Sequence, residues 1–155
     1  MAKGTTKERL IAENRRARHN YTVEDTLEVG IQLTGTEVKS LRMGQINFTD
    51  AYASVEDGEM WLHNVHIKEY LQGNRFNHDP ERPRKLLLHK RQIRRLAQEA
   101  RLEGYTLIPL RFYFQGPWVK VDLGLCKGKK LHDQRQDIAK REAQRQIEQA
   151  LQRRR

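Results

Sequence analysis

The residues with the strongest chemical character lie near the N-terminus, in Asn14-Arg15-Arg16-Ala17-Arg18-His19-Asn20-Tyr21. This stretch offers guanidinium groups for phosphate oxygens, amides for base edges and an aromatic ring for stacking. Acids follow only later, at Glu24, Asp25 and Glu28. A second run of the same kind, Lys127-Gly128-Lys129-Lys130-Leu131-His132-Asp133-Gln134-Arg135, opens the C-terminal stretch. From Lys127 to Arg155, ten basic residues oppose four acids, and residues 1–20 carry six basic groups against two acids. The net charge of the chain is +10, so the two ends account for all of it and the span 21–126 is neutral. A neutral body with two cationic arms predicts a nucleic-acid binder, because neutralising phosphates drives such binding. An anionic membrane surface is disfavoured, since neither arm has a wide apolar face with aromatics.

Catalysis finds little support. The chain has no Gly-rich phosphate loop of the Walker or Rossmann pattern and no Gly-x-Ser-x-Gly elbow. Its single cysteine, Cys126, follows an apolar run; Lys127, Lys129 and Lys130 nearby are of the type able to lower its pKa, but no His-plus-acid set accompanies it. His63 and His66 are three apart on an expected strand, which puts them on opposite faces and argues against a shared metal ion. No enzyme activity, metal or cofactor is expected. One cysteine gives no disulfide framework, the N-terminus has no apolar signal region, and no apolar run approaches the roughly 20 residues needed to span a bilayer. These features predict a soluble, cytoplasmic protein.

The elements that must position these residues follow from periodicity. Residues 1–13 read as a flexible N-terminal segment, 14–126 as the folded domain and 127–155 as a basic tail. Tyr21–Leu33 alternates as a strand, with Leu27, Val29, Ile31 and Leu33 on one face. Thr36–Gly44 predicts a short helix capped by Thr36 or Gly35, with Val38, Leu41 and, at its end, Met43 inward and Glu37, Lys39 and Arg42 toward solvent. Ile46–Val55 and Met60–Ile67 are expected strands joined at Asp57-Gly58, a strong hairpin signal. Glu69–Arg84 reads as a polar loop in which Arg75, Arg82 and Arg84 would face solvent or phosphates, before the apolar run Lys85-Leu86-Leu87-Leu88. Arg91–Glu103 predicts a helix lidding the core through Ile93, Leu96, Ala97 and Ala100. Tyr105–Phe114 and Trp118–Leu125 are the last strands; Tyr113 and Trp118 are capable of base stacking, but packing is the preferred reading for both. Five strands with a helix between the third and fourth fit a mainly β fold with short helices, a Greek-key barrel of the oligonucleotide-binding type carrying a basic tail. No Gly or Pro follows Gly128, yet Ile138, Ala143, Ile147, Ala150 and Leu151 make only a thin apolar stripe. The tail is therefore expected to be disordered when free and helical on a polyanionic partner.

The blocks Asn14-Arg15-Arg16-Ala17-Arg18-His19, Glu28-Val29-Gly30-Ile31, Leu33-Thr34-Gly35-Thr36-Glu37-Val38-Lys39-Ser40-Leu41-Arg42, Arg84-Lys85-Leu86-Leu87-Leu88 and Lys127-Gly128-Lys129-Lys130-Leu131-His132-Asp133 resemble the small protein B family, the SsrA-binding proteins of bacterial trans-translation. The resemblance runs from about Asn14 to about Arg145. It implies an oligonucleotide-binding barrel that grips the tRNA-like domain of transfer-messenger RNA and stands in for the missing anticodon half. It implies a tail that enters the empty mRNA channel of a stalled ribosome near the 30S decoding centre, against ribosomal RNA, and becomes helical there. Elongation factor Tu would be the further partner in the delivery complex. Asn14, Arg16, Arg18, His19, Glu28 and Leu87 match positions tied to RNA binding in that family, and Lys127, Lys129 and Lys130 match its basic run. Lys39, Arg42 and Lys85, within the shared blocks, complete the implied RNA-binding set. His132, Asp133 and Arg135 match the tail motif expected to touch the ribosome, continued by Lys140, Arg141 and Arg145. Gln134 departs from the family's usual basic residue.

Overall fold

The computed structural model describes residues 8–70, 77–128 and 131–153. Along the chain they form β1 (Glu8–Glu13), α1 (Arg15–Asn20), β2 (Tyr21–Ile31), α2 (Gly35–Arg42), β3 (Ile46–Asn47), β4 (Tyr52–Glu56), β5 (Glu59–His63), β6 (His66–Ile67), β7 (Arg84–Leu87), α3 (Lys90–Glu103), β8 (Thr106–Gln115), β9 (Trp118–Gly128) and α4 (Leu131–Arg153). Antiparallel pairing runs β8-β4-β5-β7-β2-β9, and β9 returns to β8, so the sheet closes into a barrel with β1 added outside β8. This is a mainly β, oligonucleotide-binding-type barrel, and closure leaves few free strand edges.

Alternation along the long strands builds the interior. Val29, Ile31, Phe112, Phe114, Val119, Val121, Leu123 and Leu125 are buried together with Met60, Leu62 and Leu86. Phe48 meets Phe112 with ring centroids 4.7 Å apart. The amphipathic α3 sets Ile93 and Leu96 into the same core against β4 and β5, and ends at Gly104 with φ of 72°. At the β4–β5 turn, Asp57 and Gly58 both have positive φ, as the Asp-Gly signal requires.

Several expectations are corrected. Glu8–Glu13 is a strand, not part of a flexible segment, because Glu8 through Glu13 register with Gln115 through Arg111 while Ile11 and Ala12 pack on the core. The expected strands Ile46–Val55 and Met60–Ile67 are each broken. A turn after Asn47 separates β3 from β4, and Asn64, at φ of 62°, separates β5 from β6; β3 and β6 pair in a ladder of their own. The run after Arg84 is a sixth barrel strand, β7, bridging β5 and β2.

The largest departure concerns charge. Glu37 does not face solvent, and Arg84 does not reach phosphates. Both side chains are fully buried and joined, Arg84 Nε donating to Glu37 Oε2 at 2.6 Å. Arg82 Nη2 donates to Glu37 Oε1 at 2.6 Å, and Arg84 also donates to the carbonyls of Val65 (2.6 Å) and Pro80 (3.0 Å). The same carboxylate accepts the Thr34 N–H at 2.8 Å, so Thr34, not Thr36 or Gly35, caps α2 in a reciprocal capping box. Burial alone would raise the Glu37 carboxyl, but the Arg82 and Thr34 hydrogen bonds and the adjacent Arg84 outweigh it and hold the group below its usual range. Because the folded-state value is depressed, this stabilisation is present at neutral pH and is lost as pH falls through the carboxylate range. Glu37→Gln should lower unfolding free energy by about 3 kcal/mol, the scale for breaking one side of a buried ion pair. It should also flatten the acid limb of the stability curve in denaturant titrations run from neutral pH downward. An unchanged midpoint and acid limb would contradict the assignment.

Candidate nucleic-acid interface

The six-residue helix α1 is too short to persist by itself. Asn14 anchors it. Its Oδ1 accepts the Ala17 N–H at 3.1 Å, its Nδ2 donates to the carbonyls of Phe48 and Thr49 at 3.4 and 3.3 Å, and its own N–H donates to the Leu110 carbonyl at 2.7 Å. Asn14 is thus a buried scaffold residue that holds the helix in place. Below the helix, Ala17 packs with Ile108, Leu110 and Cys126 in a second, smaller core on the outer side of the barrel wall. Gly124 makes the room: a Cβ there would stand 2.8 Å from Leu110 Cδ1 and 3.1 Å from Cys126 Sγ.

This packing turns Arg16, Arg18 and His19 outward, all exposed. Lys127, opposite Thr22 in the β2–β9 ladder, is exposed at the same end of the barrel. Lys129 and Lys130 lie outside the described residues. Burial pushes the Cys126 thiol up to about 11, only partly opposed by Arg18. The net direction is upward, and a buried, protonated thiol is a poor nucleophile at neutral pH. Between α1 and the start of β4 runs a groove of about 480 Å³.

Glu28 and Leu87 sit elsewhere on the wall. Glu28 is seven residues along β2 from Tyr21, about 23 Å away at strand rise. Leu10, Tyr113, Lys120, Gly30 and Leu87 are successive cross-strand partners through β1, β8, β9, β2 and β7. The adjacent row is Glu13, Arg111, Asp122 and Glu28. Asp122 directly opposes Glu28, a repulsive pairing if left alone. Arg111 offsets it, its Nε donating to Asp122 at 2.5 Å and its Nη2 to Glu8 at 3.1 Å. The Tyr113 hydroxyl donates to Glu28 and lies 3.2 Å from Asp122 Oδ1. Burial, with both carboxylates beside it, drives this phenol well above its usual range and keeps it a donor. Arg111 covers the Tyr113 ring at 4.4 Å, so Tyr113 is packed as expected and unavailable for stacking. Trp118 reverses its expectation: it is 68% exposed. Leu87 is exposed above Gly30, where a Cβ would stand only 3.3 Å from Leu87 Cβ.

The other candidates are not brought to either patch. Lys39 and Arg42 are exposed on α2, Lys39 with its ammonium 5.5 Å from the Tyr70 ring centre. Lys85 pairs with Glu59 at 3.5 Å. Arg75 lies outside the described residues, and Arg82 serves Glu37. In the tail, α4 carries His132, Asp133, Arg135 and Lys140 on its backbone, but their side chains are outside the described residues. Arg141 and Arg145 are exposed, as is all of 141–152. His63 and His66 have separate partners, Ser54 and Glu81. Among the described residues no helix is long and apolar enough to cross a membrane. Lys120 on the wall and Asp50 and Tyr52 in the groove stand beside these candidates without having been singled out from the sequence. Lys120 was legible as an outward position of β9; the other two became visible only when the β4 segment was placed beside α1.

With this geometry in place, known proteins are informative. The family described as SmpB protein matches residues 11–153. The chain belongs to the SmpB family. An SsrA-binding protein of Carboxydothermus hydrogenoformans is 56% identical over 144 residues, covering 93% of this chain and 97% of its own length. That of Roseiflexus sp. strain RS-1 is 56% identical over 152 residues, covering 97% and 96%. A solved chain from "tmRNA-SmpB: a journey to the center of the bacterial ribosome" superposes with a TM-score of 0.66 at 52% identity, covering 77% of this chain and 85% of that one.

Because α1 rests on the contact at Gly124, Gly124→Ala should destabilise the fold by about 1–3 kcal/mol through overpacking. Amides of 15–20 should lose hydrogen-exchange protection more than those of β5. Equal protection in both elements would contradict the outer-core account.

Proposed function

We propose that this SmpB-family chain is a non-enzymatic adaptor that binds the tRNA-like domain of transfer-messenger RNA and carries it to stalled ribosomes for trans-translation. The observation that carries this reading is the separation of charge from structure. A neutral, closed barrel presents exposed Arg16, Arg18, His19 and Lys127 at one end of a rigid wall, and the C-terminal stretch 127–155 carries ten basic residues against four acids. The rigid wall suits recognition of RNA shape through phosphates and ribose, and its cations supply salt-dependent affinity. Support comes also from relatives named SsrA-binding protein and from the likeness to a chain of a tmRNA–SmpB structure.

In this reading Arg16, Arg18, His19 and Lys127 contact RNA, Asn14 positions α1, and Tyr113 holds the Glu28 carboxylate ready to accept from base amino groups or ribose hydroxyls. Leu87, with Lys120 beside it, offers an apolar and cationic seat for an unstacked base. Lys39, Arg42 and Lys85 are peripheral cations. The tail, 127–155, acts in the mRNA channel near the decoding centre. A helix of 23 residues spans about 35 Å. It finds little to bury on its own barrel, so rRNA is the partner that its Arg141 and Arg145, with His132, Asp133, Arg135 and Lys140, would meet. An mRNA in that channel would exclude it, which restricts entry to stalled ribosomes. Delivery with elongation factor Tu follows from the tRNA-like character of the RNA, and the site of action is the cytoplasm.

Truncation after Gly128 should leave affinity for the tRNA-like domain within about three-fold while abolishing peptide tagging on stalled ribosomes in a reconstituted translation assay. Loss of RNA binding together with tagging would overturn this division of labour.

A further inference from the structure

We infer that the groove between α1 and the start of β4 is a binding site for one unstacked guanine nucleotide. The inference rests on the proposed RNA-binding role and specifies part of it. The groove's volume of about 480 Å³ is ample for a single nucleotide. Its lining includes Arg16, His19, Asp50 and Tyr52. Tyr52, the first residue of β4, is 41% exposed. One side of its ring is taken by His63, centroid to centroid at 5.2 Å with 29° between planes. His63 is in turn fixed by Ser54 Oγ at 2.9 Å and Glu56 Oε1 at 3.4 Å from its Nε2. The ring is therefore a braced platform with one face left for a base, the arrangement by which single-stranded RNA is held.

Asp50 decides the class of base. It is exposed, and its carboxylate makes no hydrogen bond or ion pair among the described residues, although Arg16 and His19 line the same groove. A carboxylate in a phosphate-binding groove repels phosphate, so its place there suits a partner that donates hydrogen bonds. Guanine presents two adjacent donors, N1–H and N2–H, to the two oxygens of one carboxylate. Adenine and cytosine present only an amino group and uracil one imide N–H. Arg16 is then free to donate to the nucleotide's phosphate while Tyr52 stacks on the ring.

The test is titration of the full chain with GMP, IMP, AMP and UMP up to about 10 mM, followed by NMR shifts of the groove residues. GMP should bind about five-fold tighter than UMP, with IMP, which lacks the 2-amino group, between them. Asp50→Asn should bring GMP down to the affinity of AMP, the purine without two adjacent donors; the side chain is exposed and makes no bond among the described residues, so the variant folds. Tyr52→Ala should weaken all four by about ten-fold. Equal affinities, a preference that survives Asp50→Asn, or shifts mapping away from the groove would overturn the proposal. If the protein selects the tRNA-like domain but ignores guanine, the groove assignment fails and the adaptor reading stands. A guanine preference without that selectivity would keep the groove and defeat the adaptor reading.

Discussion

The barrel closes because a four-residue strand fills the gap between β5 and β2, and that strand begins with a buried guanidinium. Arg84 and Glu37 are charged groups withdrawn from water, a costly state that is tolerable only with full pairing. The carboxylate meets that condition by gathering the start of α2, the loop before β7 and β7 itself around two oxygens. From this knot follow the seat of Leu87 above Gly30, the closed ring, and hence the fixed spacing of the wall residues on β2, β9 and β8.

A different economy governs the functional end. The helix carrying Arg16, Arg18 and His19 has no stability of its own and borrows it from the outer wall, through one buried amide, one alanine and the space left by Gly124. The consequence is that flexible cations are displayed from a rigid base. The conformational freedom lost on binding is then confined largely to side chains, which favours reading an RNA's shape over attracting any polyanion.

Much of this was legible in the chain. Alternation in Leu27–Leu33 and Val119–Leu125, the Asp57-Gly58 turn and the Ile93/Leu96 stripe mark elements whose side-chain period matches a single buried face, and the neutral body with charged ends was evident from counting. What stayed hidden were the long-range pairings. Glu37 read as a surface helix residue because nothing local announces a partner 47 positions away. Arg84, in a polar loop, read as a solvated side chain or a phosphate ligand for the same reason. The capping role of Asn14 stayed hidden because a capping asparagine and a base-reading asparagine are the same residue until the helix is seen. Residues 8–13 lack a strong period, and their strand exists only because β8 offers an edge.

The central claim is that a shaped barrel surface, not charge alone, selects the RNA. It is tested most directly by the affinity of the full chain for the tRNA-like domain of transfer-messenger RNA against an unrelated RNA of equal length, across a salt series. The account predicts a preference of about a hundred-fold or more that persists as salt rises, while the unrelated RNA falls away. Equal affinities declining in parallel with salt would contradict it.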